Sequence, residues 1–202
     1  MMKMNSGKLV LFIGLTCCGL CPSLAVSAKE SNWYVGGALS QARLDIDSGV
    51  LKSAYDAGLF DNRLDGGEIF AGYVMKPWLA LESSVFIRYM SELTWRGYGN
   101  ELRTSGLTLS TKFTSKQYHG LALYVKPGVG ITSSKAELKN LNNAAYSETK
   151  NTVHPNMATG LEYSFSRRIA ANIGYEYQYH AVSLADEKYS QSIVGLGVRY
   201  HF

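Results

Sequence analysis

Val194-Gly195-Leu196-Gly197-Val198-Arg199-Tyr200-His201-Phe202 is the stretch that decides the fold. Taken every second residue, Val194, Leu196, Val198, Tyr200 and Phe202 are apolar, while Gly195, Gly197, Arg199 and His201 between them are polar or minimal. Period-two amphipathicity is the mark of a β-strand with two unlike faces. A strand that meets lipid on one face and a polar interior on the other shows this stripe, as in a transmembrane β-barrel.

Seven segments upstream repeat the pattern. Trp33, Val35 and Leu39 oppose Tyr34, Gly36, Ala38 and Ser40; Ile69, Ala71, Tyr73 and Met75 share a face within 68–75. Leu79, Leu81, Val85, Ile87 and Tyr89 oppose Glu82, Ser84 and Arg88, and Leu107, Leu109 and Phe113 oppose Thr108, Ser110 and Lys112. Leu121 to Ile131, Met157 to Phe165 and Ile169 to Tyr179 continue the alternation, the last against Asn172, Gly174, Glu176, Gln178 and His180. With the closing strand these make eight, an even number as bacterial barrels require.

The connections alternate in length. Lys76-Pro77-Trp78, 114–117 and 166–168 read as tight turns, whereas 45–67, 91–103, 134–151 and 183–188 read as longer polar loops. The expectation is an all-β, eight-stranded antiparallel up-and-down transmembrane β-barrel with short periplasmic turns and long extracellular loops. A soluble eight-stranded barrel is the competing reading, but its outer face would be dense in charge. Here the polar face is rich in Gly, Ala and Ser with sparse charges, which suits a narrow interior. Trp33, Trp78, Phe113, Phe165 and Phe202 fall near the short-turn rim and Tyr89 and Tyr179 near the other, as two aromatic belts do.

Lys3 and Lys8 precede an apolar run over 9–20, too short to span a bilayer, and Val26-Ser27-Ala28 offers small residues before Lys29. Residues 1–28 are expected to be a cleaved signal peptide, cut between Ala28 and Lys29, with the barrel over 29–202. Cys17, Cys18 and Cys21 all lie in the leader, so the exported barrel is expected to hold no disulfide or thiolate site. The formal charge of +4 falls to +2 when Lys3 and Lys8 are removed, too little to indicate nucleic acid as a partner.

At this point the residues resemble a known family. Gly72-Tyr73 through Pro77-Trp78-Leu79-Ala80-Leu81-Glu82 is similar to the second hairpin of the OmpA-like transmembrane domain, and Leu123-Tyr124-Val125-Lys126-Pro127-Gly128-Val129-Gly130 to its fifth strand. Gly160-Leu161-Glu162-Tyr163, Arg168-Ile169-Ala170 and the end 194–202 resemble its last three strands. The resemblance implies a Gram-negative outer-membrane address, outer-membrane lipids and lipopolysaccharide as surroundings, and the barrel assembly machinery as a partner. It marks Val198, Tyr200 and Phe202 as the insertion signal. The chain stops at Phe202, so the peptidoglycan-binding domain of two-domain members is not expected; the format matches the OmpX/Ail-type surface proteins.

Chemistry is sparse. Glu82, Arg88, Lys112, Lys126, Glu162, Glu176 and Arg199, with Glu68, are expected to face the lumen and to pair there, because an unpaired buried ion costs several kcal/mol. Their re-pairing would open a narrow gated ion path; no wide pore is expected, since eight strands enclose little more than side chains. No cofactor or metal is expected, as no His or Asp cluster has ligand spacing. The best enzymatic candidates for lipid A modification, His180, Ser183 and Glu187, have unfavourable parity, so catalysis is not expected. The longer loops carry Lys52, Arg63, Arg96, Arg103, Lys135, Lys139 and Lys150 beside apolar Leu51, Tyr55, Leu59, Phe60, Trp95, Tyr98, Leu141 and Tyr146. By analogy with the family, those loops are expected to act in adhesion, colonisation or envelope integrity, with host-cell or matrix ligands as candidate partners.

Overall fold

The computed structural model describes residues 31–46, 52, 55, 56, 62–90, 93–95, 98–139, 145–184 and 187–202. The expected leader, the expected Ala28–Lys29 cleavage site and residues Leu51, Leu59, Phe60, Arg96 and Leu141 lie outside the described residues. So do the side chains of Trp95, Tyr98, Lys139 and Tyr146.

Nine strands follow in order: β1 (Trp33–Asp45), β2 (Arg63–Lys76), β3 (Leu79–Met90), β4 (Leu93–Trp95), β5 (Tyr98–Thr114), β6 (Leu121–Lys139), β7 (Ala145–Ser164), β8 (Ile169–Leu184) and β9 (Glu187–His201). The eight long strands pair antiparallel with their sequence neighbours. β3 pairs with β5, leaving the three-residue β4 as an appendage of β5, and β1 closes on β9 from Tyr34↔His201 to Asp45↔Ser190. Closure matters energetically: a free sheet edge in lipid would leave backbone N–H and C=O groups without partners.

The faces follow the sequence alternation. Leu39, Ile69, Val85, Leu123, Val153, Met157 and Leu196 are exposed on the outside, while Tyr34, Glu82, Ser84, Arg88, Lys112, Tyr124 and Glu162 are buried inside. Trp33–Tyr73, Trp78–Phe113, Tyr163–Phe165 and Tyr200–Phe202 ring contacts, with centroids 5.0–6.2 Å apart, build the aromatic girdle at the short-turn rim. Tyr89, Tyr177 and Tyr179 lie outward near the other rim. From Ile169 to Tyr179, about ten residues at ~3.3 Å with a ~40° tilt give an apolar band ~25 Å tall.

The strands run well past that band, which corrects three of the expected loops. Pairing of β6 with β7 continues to Lys139↔Ala145, so most of 134–151 is strand; β8 and β9 pair to Leu184↔Glu187; and β5 begins at Tyr98. Beyond the band the polarity of the two faces inverts. Ala42, Leu44, Ile46, Leu64, Met90, Leu102, Val182, Tyr189 and Ile193 form one buried apolar cluster. Arg43, Arg63, Asp65, Arg103 and Lys188 are exposed on the outside of the same strands. Outside the bilayer the outer face meets water, so the barrel buries its apolar residues inward as a soluble barrel does.

Two local geometries also differ from expectation. The turn placed at 114–117 lies instead at His119 (φ 48°) and Gly120 (φ 86°), between Tyr118 and Leu121, whose backbones exchange hydrogen bonds of 2.8 and 2.9 Å. Two successive positive φ values make this a type I′ hairpin turn, the hand that matches strand twist. In β8 a bulge between Gln178 and Val182, with His180 at φ 53°, breaks the alternation. His180 therefore leaves the lumen face assigned to it, and its ring stacks on that of Tyr179 (3.8 Å between centroids).

Candidate functional site

The lumen gathers the predicted charges into two layers. In the layer nearer the short-turn rim, Glu82 uses both carboxylate oxygens: Lys126 Nζ donates to one at 2.7 Å and Tyr34 Oη to the other at 2.7 Å. Glu162 does the same, accepting from Lys112 Nζ at 2.6 Å and pairing with Arg199 Nη2 at 2.7 Å. Five strands are thereby stitched across the interior, β3 to β6 and β7 to both β5 and β9. The cations also lie over aromatic faces. Lys112 Nζ is 4.7 Å from the Tyr124 ring centroid, and the Arg199 guanidinium is 5.1 Å from that of Tyr34. Such contacts gain strength where water is scarce.

Sequence reading assigned the charges to this site but not Tyr34 or Tyr124. The available signal is the glycines around them. A Cβ on Gly72 would fall on the Tyr34 ring, and a Cβ on Gly160 or Gly174 on the Tyr124 hydroxyl. Large inward tyrosines are fitted by making the adjacent strand positions minimal.

The second layer is hydrogen-bonded rather than ion-paired. Glu176 accepts from Asn156 Nδ2 (2.9 Å) and Gln178 Nε2 (2.7 Å). Arg88 is 1% exposed, stacks 4.2 Å over the Phe86 ring and donates through Nε to Ser40 Oγ at 3.3 Å. Glu68 faces the same space, and the three groups line a cavity of about 40 Å³, room for about three waters. All seven predicted lumen charges therefore face inward, five of them in direct ion pairs. Above them Gln178, Gln191, His154 and Thr132 make a polar layer, with Thr132 Oγ1 and His154 Nε2 2.9 Å apart. The apolar cluster built on Leu44, Leu64 and Leu102 lies above that. At the periplasmic mouth an open recess of about 430 Å³ reaches down to Glu162 and Arg199.

The candidate nucleophile and base are not brought together. The His180 backbone N–H donates to Ser190 Oγ at 3.1 Å, the Glu187 carboxylate accepts from the Tyr189 hydroxyl, and Ser183 pairs in register with Lys188. Among the described residues no group of three or more His, Cys, Asp or Glu is placed to hold a metal ion.

The insertion-signal residues Val198, Tyr200 and Phe202 share the lipid-facing side, all exposed. The loop cations resolve into rows. Arg43 pairs directly with Arg63 across β1–β2, and Arg103 with Lys135 across β5–β6, with all four exposed on the outer face. Lys150 instead shares the inward parity of Thr152 and His154.

Comparison with known proteins agrees with this architecture. The family described as outer membrane protein beta-barrel domain matches residues 13–202. Outer membrane protein A of Shigella flexneri is 20% identical over 199 residues, covering 96% of this chain and 56% of its own, and that of Klebsiella pneumoniae is 24% identical, covering 89% and 53%. The chain thus spans about half the length of these relatives. Among solved structures, Neisserial surface protein A superposes with a TM-score of 0.63 (14% identity; 87% of this chain, 100% of that one). Ail of Yersinia pestis superposes with 0.60 (17% identity; 86% and 99%). With a closed eight-stranded barrel, a lipid-facing apolar band between aromatic rims and a family match over nearly its whole length, the chain belongs to the outer membrane β-barrel domain family and is an OmpA-like barrel of the Gram-negative outer membrane.

Proposed function

We propose that the protein works at the cell surface, in adhesion, colonisation or envelope integrity, through what its strands display outside the membrane. The carrying observation is that the strands stay paired well above the lipid-facing band, β6 with β7 to Lys139↔Ala145, with an inward apolar cluster at Leu44, Leu64, Leu102 and Val182 at that end of the barrel. A 20-residue strand such as β7 (Ala145–Ser164) reaches ~50 Å at the tilt used above, about twice the band height. Such an extension is a rigid pedestal, and binding loops on rigid scaffolds pay little ordering entropy on engagement.

The like-charged pairs Arg43–Arg63 and Arg103–Lys135 sit on this pedestal. Exposed cations at that height are ones an anionic group can engage. Lipopolysaccharide phosphates and sulfated glycans both have the chemistry to do so. Ail has been crystallised with the heparin analogue sucrose octasulfate, and a polyanion of that type is a suitable probe here. The test replaces each loop in turn and measures binding of the cells to host cells, matrix and immobilised heparin. At least one replacement should abolish binding, as should R43Q/R63Q if the ligand is anionic. No change for any of them would contradict the reading.

The second reading is a narrow gated ion path. It is favoured by the position of Lys126, which pairs with Glu82 while lining the same cavity as Glu68 and Glu176. The apolar cluster above that cavity weighs against it. Lipid A modification is the third; lipid A from cells with and without the protein should be identical on the surface-protein reading.

A further inference from the structure

The charge of the barrel is unevenly divided between its two ends. The lumen is balanced, with Glu68, Glu82, Glu162 and Glu176 against Arg88, Lys112, Lys126 and Arg199. The extracellular strand ends and loops (42–66, 89–104, 134–152 and 180–190) carry nine Lys or Arg and eleven Asp or Glu. The periplasmic turns carry Lys76, Lys116, Arg167 and Arg168, all exposed, and no Asp or Glu. The net positive charge of residues 31–202 thus comes entirely from the periplasmic rim.

Two of these cations are held on the lipid side of that rim. Lys76 Nζ lies 5.3 Å from the centroid of the Trp78 ring, and Arg168 Nη1 donates to Tyr200 Oη at 3.5 Å. Trp78 and Tyr200 are exposed members of the aromatic girdle. A cation laid on a girdle aromatic sits at headgroup depth, with its stem along apolar surface and its charge at the interface. We propose that Lys76, Lys116, Arg167 and Arg168 form a collar that binds the anionic phosphate headgroups of phospholipids in the inner leaflet of the outer membrane. A periplasmic polymer such as peptidoglycan would be met by cations on the turn tips alone. Lys76 and Arg168 instead rest on lipid-facing rings, and their charge and depth both match a lipid phosphate. Four basic side chains near a charged lipid surface amount to roughly fivefold preference each, fading with salt within a Debye length.

Trp78 reports on the collar when Trp33 and Trp95 are replaced by Phe. The full barrel, refolded in phosphatidylcholine vesicles containing 30% phosphatidylglycerol, is quenched with brominated phosphatidylglycerol or brominated phosphatidylcholine, with folding verified by heat-modifiable gel mobility. The expected result is at least fivefold preferential association of phosphatidylglycerol with the Trp78 region at low salt, falling toward parity at high salt. K76Q/K116Q/R167Q/R168Q should remove the preference, while R43Q/R63Q/R103Q/K135Q at the other rim should keep it. If the fourfold variant does not fold, K76Q/R168Q should show a partial loss. Equal quenching by the two lipids, or a preference unchanged in the collar variants, would overturn the proposal. So would retention of the protein on peptidoglycan sacculi through the same four cations without any lipid preference.

Discussion

The backbone N–H of Phe202 donates to the carbonyl of Trp33 at 3.1 Å, so the last residue of the chain is bonded to the first residue of the first strand. Around that bond Trp33 stacks edge-on to Tyr73 and Phe202 edge-on to Tyr200. The seam that closes the barrel therefore coincides with the aromatic rim. Removing the ring, in Phe202→Ala, leaves the backbone bond possible but strips the girdle at the seam and the terminal aromatic that the family resemblance ties to assembly. The variant is expected to reach the outer membrane at a fraction of wild-type level, measured by membrane fractionation and heat-modifiable mobility. Wild-type levels would contradict this role.

The ion pairs in the lumen make a second prediction. Lys126→Met removes the direct ion-pair partner of the buried Glu82 carboxylate, leaving it the Tyr34 hydroxyl and the more distant Lys112, and is expected to cost about 3 kcal/mol. Adding Glu82→Met removes the stranded charge and should recover part of that loss. Urea unfolding of the refolded barrel in detergent or vesicles checks both, and additive losses in the double variant would show that the two residues are not coupled.

Tyr34 and Gly72 provide a steric test. Gly72→Val places its side chain on the Tyr34 ring and is expected to destabilise by about 1–3 kcal/mol through overpacking. Tyr34→Ala in the same chain should relieve the clash, leaving the pair less destabilised than the sum of the singles. Unchanged stability of Gly72→Val alone would mean the ring does not occupy that space.

One substitution made on opposite faces separates the two environments of the barrel. Leu102 is 6% exposed in the apolar cluster above the lumen, and Leu39 is 75% exposed on the lipid side. Leu102→Ala is expected to cost about 2–5 kcal/mol, the loss of a packed core leucine. Leu39→Ala should cost markedly less, because lipid chains fill the space. Equal costs would argue against an inward core at that height.

Much of this architecture was legible in the sequence, because a strand between lipid and a polar lumen writes its two faces as alternation. Leu79 to Tyr89 and Ile169 to Tyr179 needed nothing more. The strand ends were not legible for the same reason. Above the membrane Leu44, Leu64, Met90, Leu102 and Val182 point inward while Arg43, Arg63 and Arg103 point outward, so the stripe reverses at those strand ends, and 134–151 reads as loop from its polar composition. The bulge at His180 and the turn at His119-Gly120 were missed because neither position carries a strong turn dipeptide such as Asn-Gly. The charges of the lumen were readable from parity alone. Which of them pair was not, since pairing depends on the stagger between strands and on Tyr34 and Tyr124, whose role is visible only beside Gly72, Gly160 and Gly174.

Five of the lumen charges are paired inside the barrel, and the function proposed for the protein lies at its rims. Conductance of the refolded wild-type protein across a planar bilayer tests that arrangement most directly. A lumen stapled by Glu82–Lys126 and Glu162–Lys112–Arg199 and capped by the cluster at Leu44, Leu64 and Leu102 is expected to pass no steady ionic current. A persistent ohmic conductance from the folded barrel would contradict it.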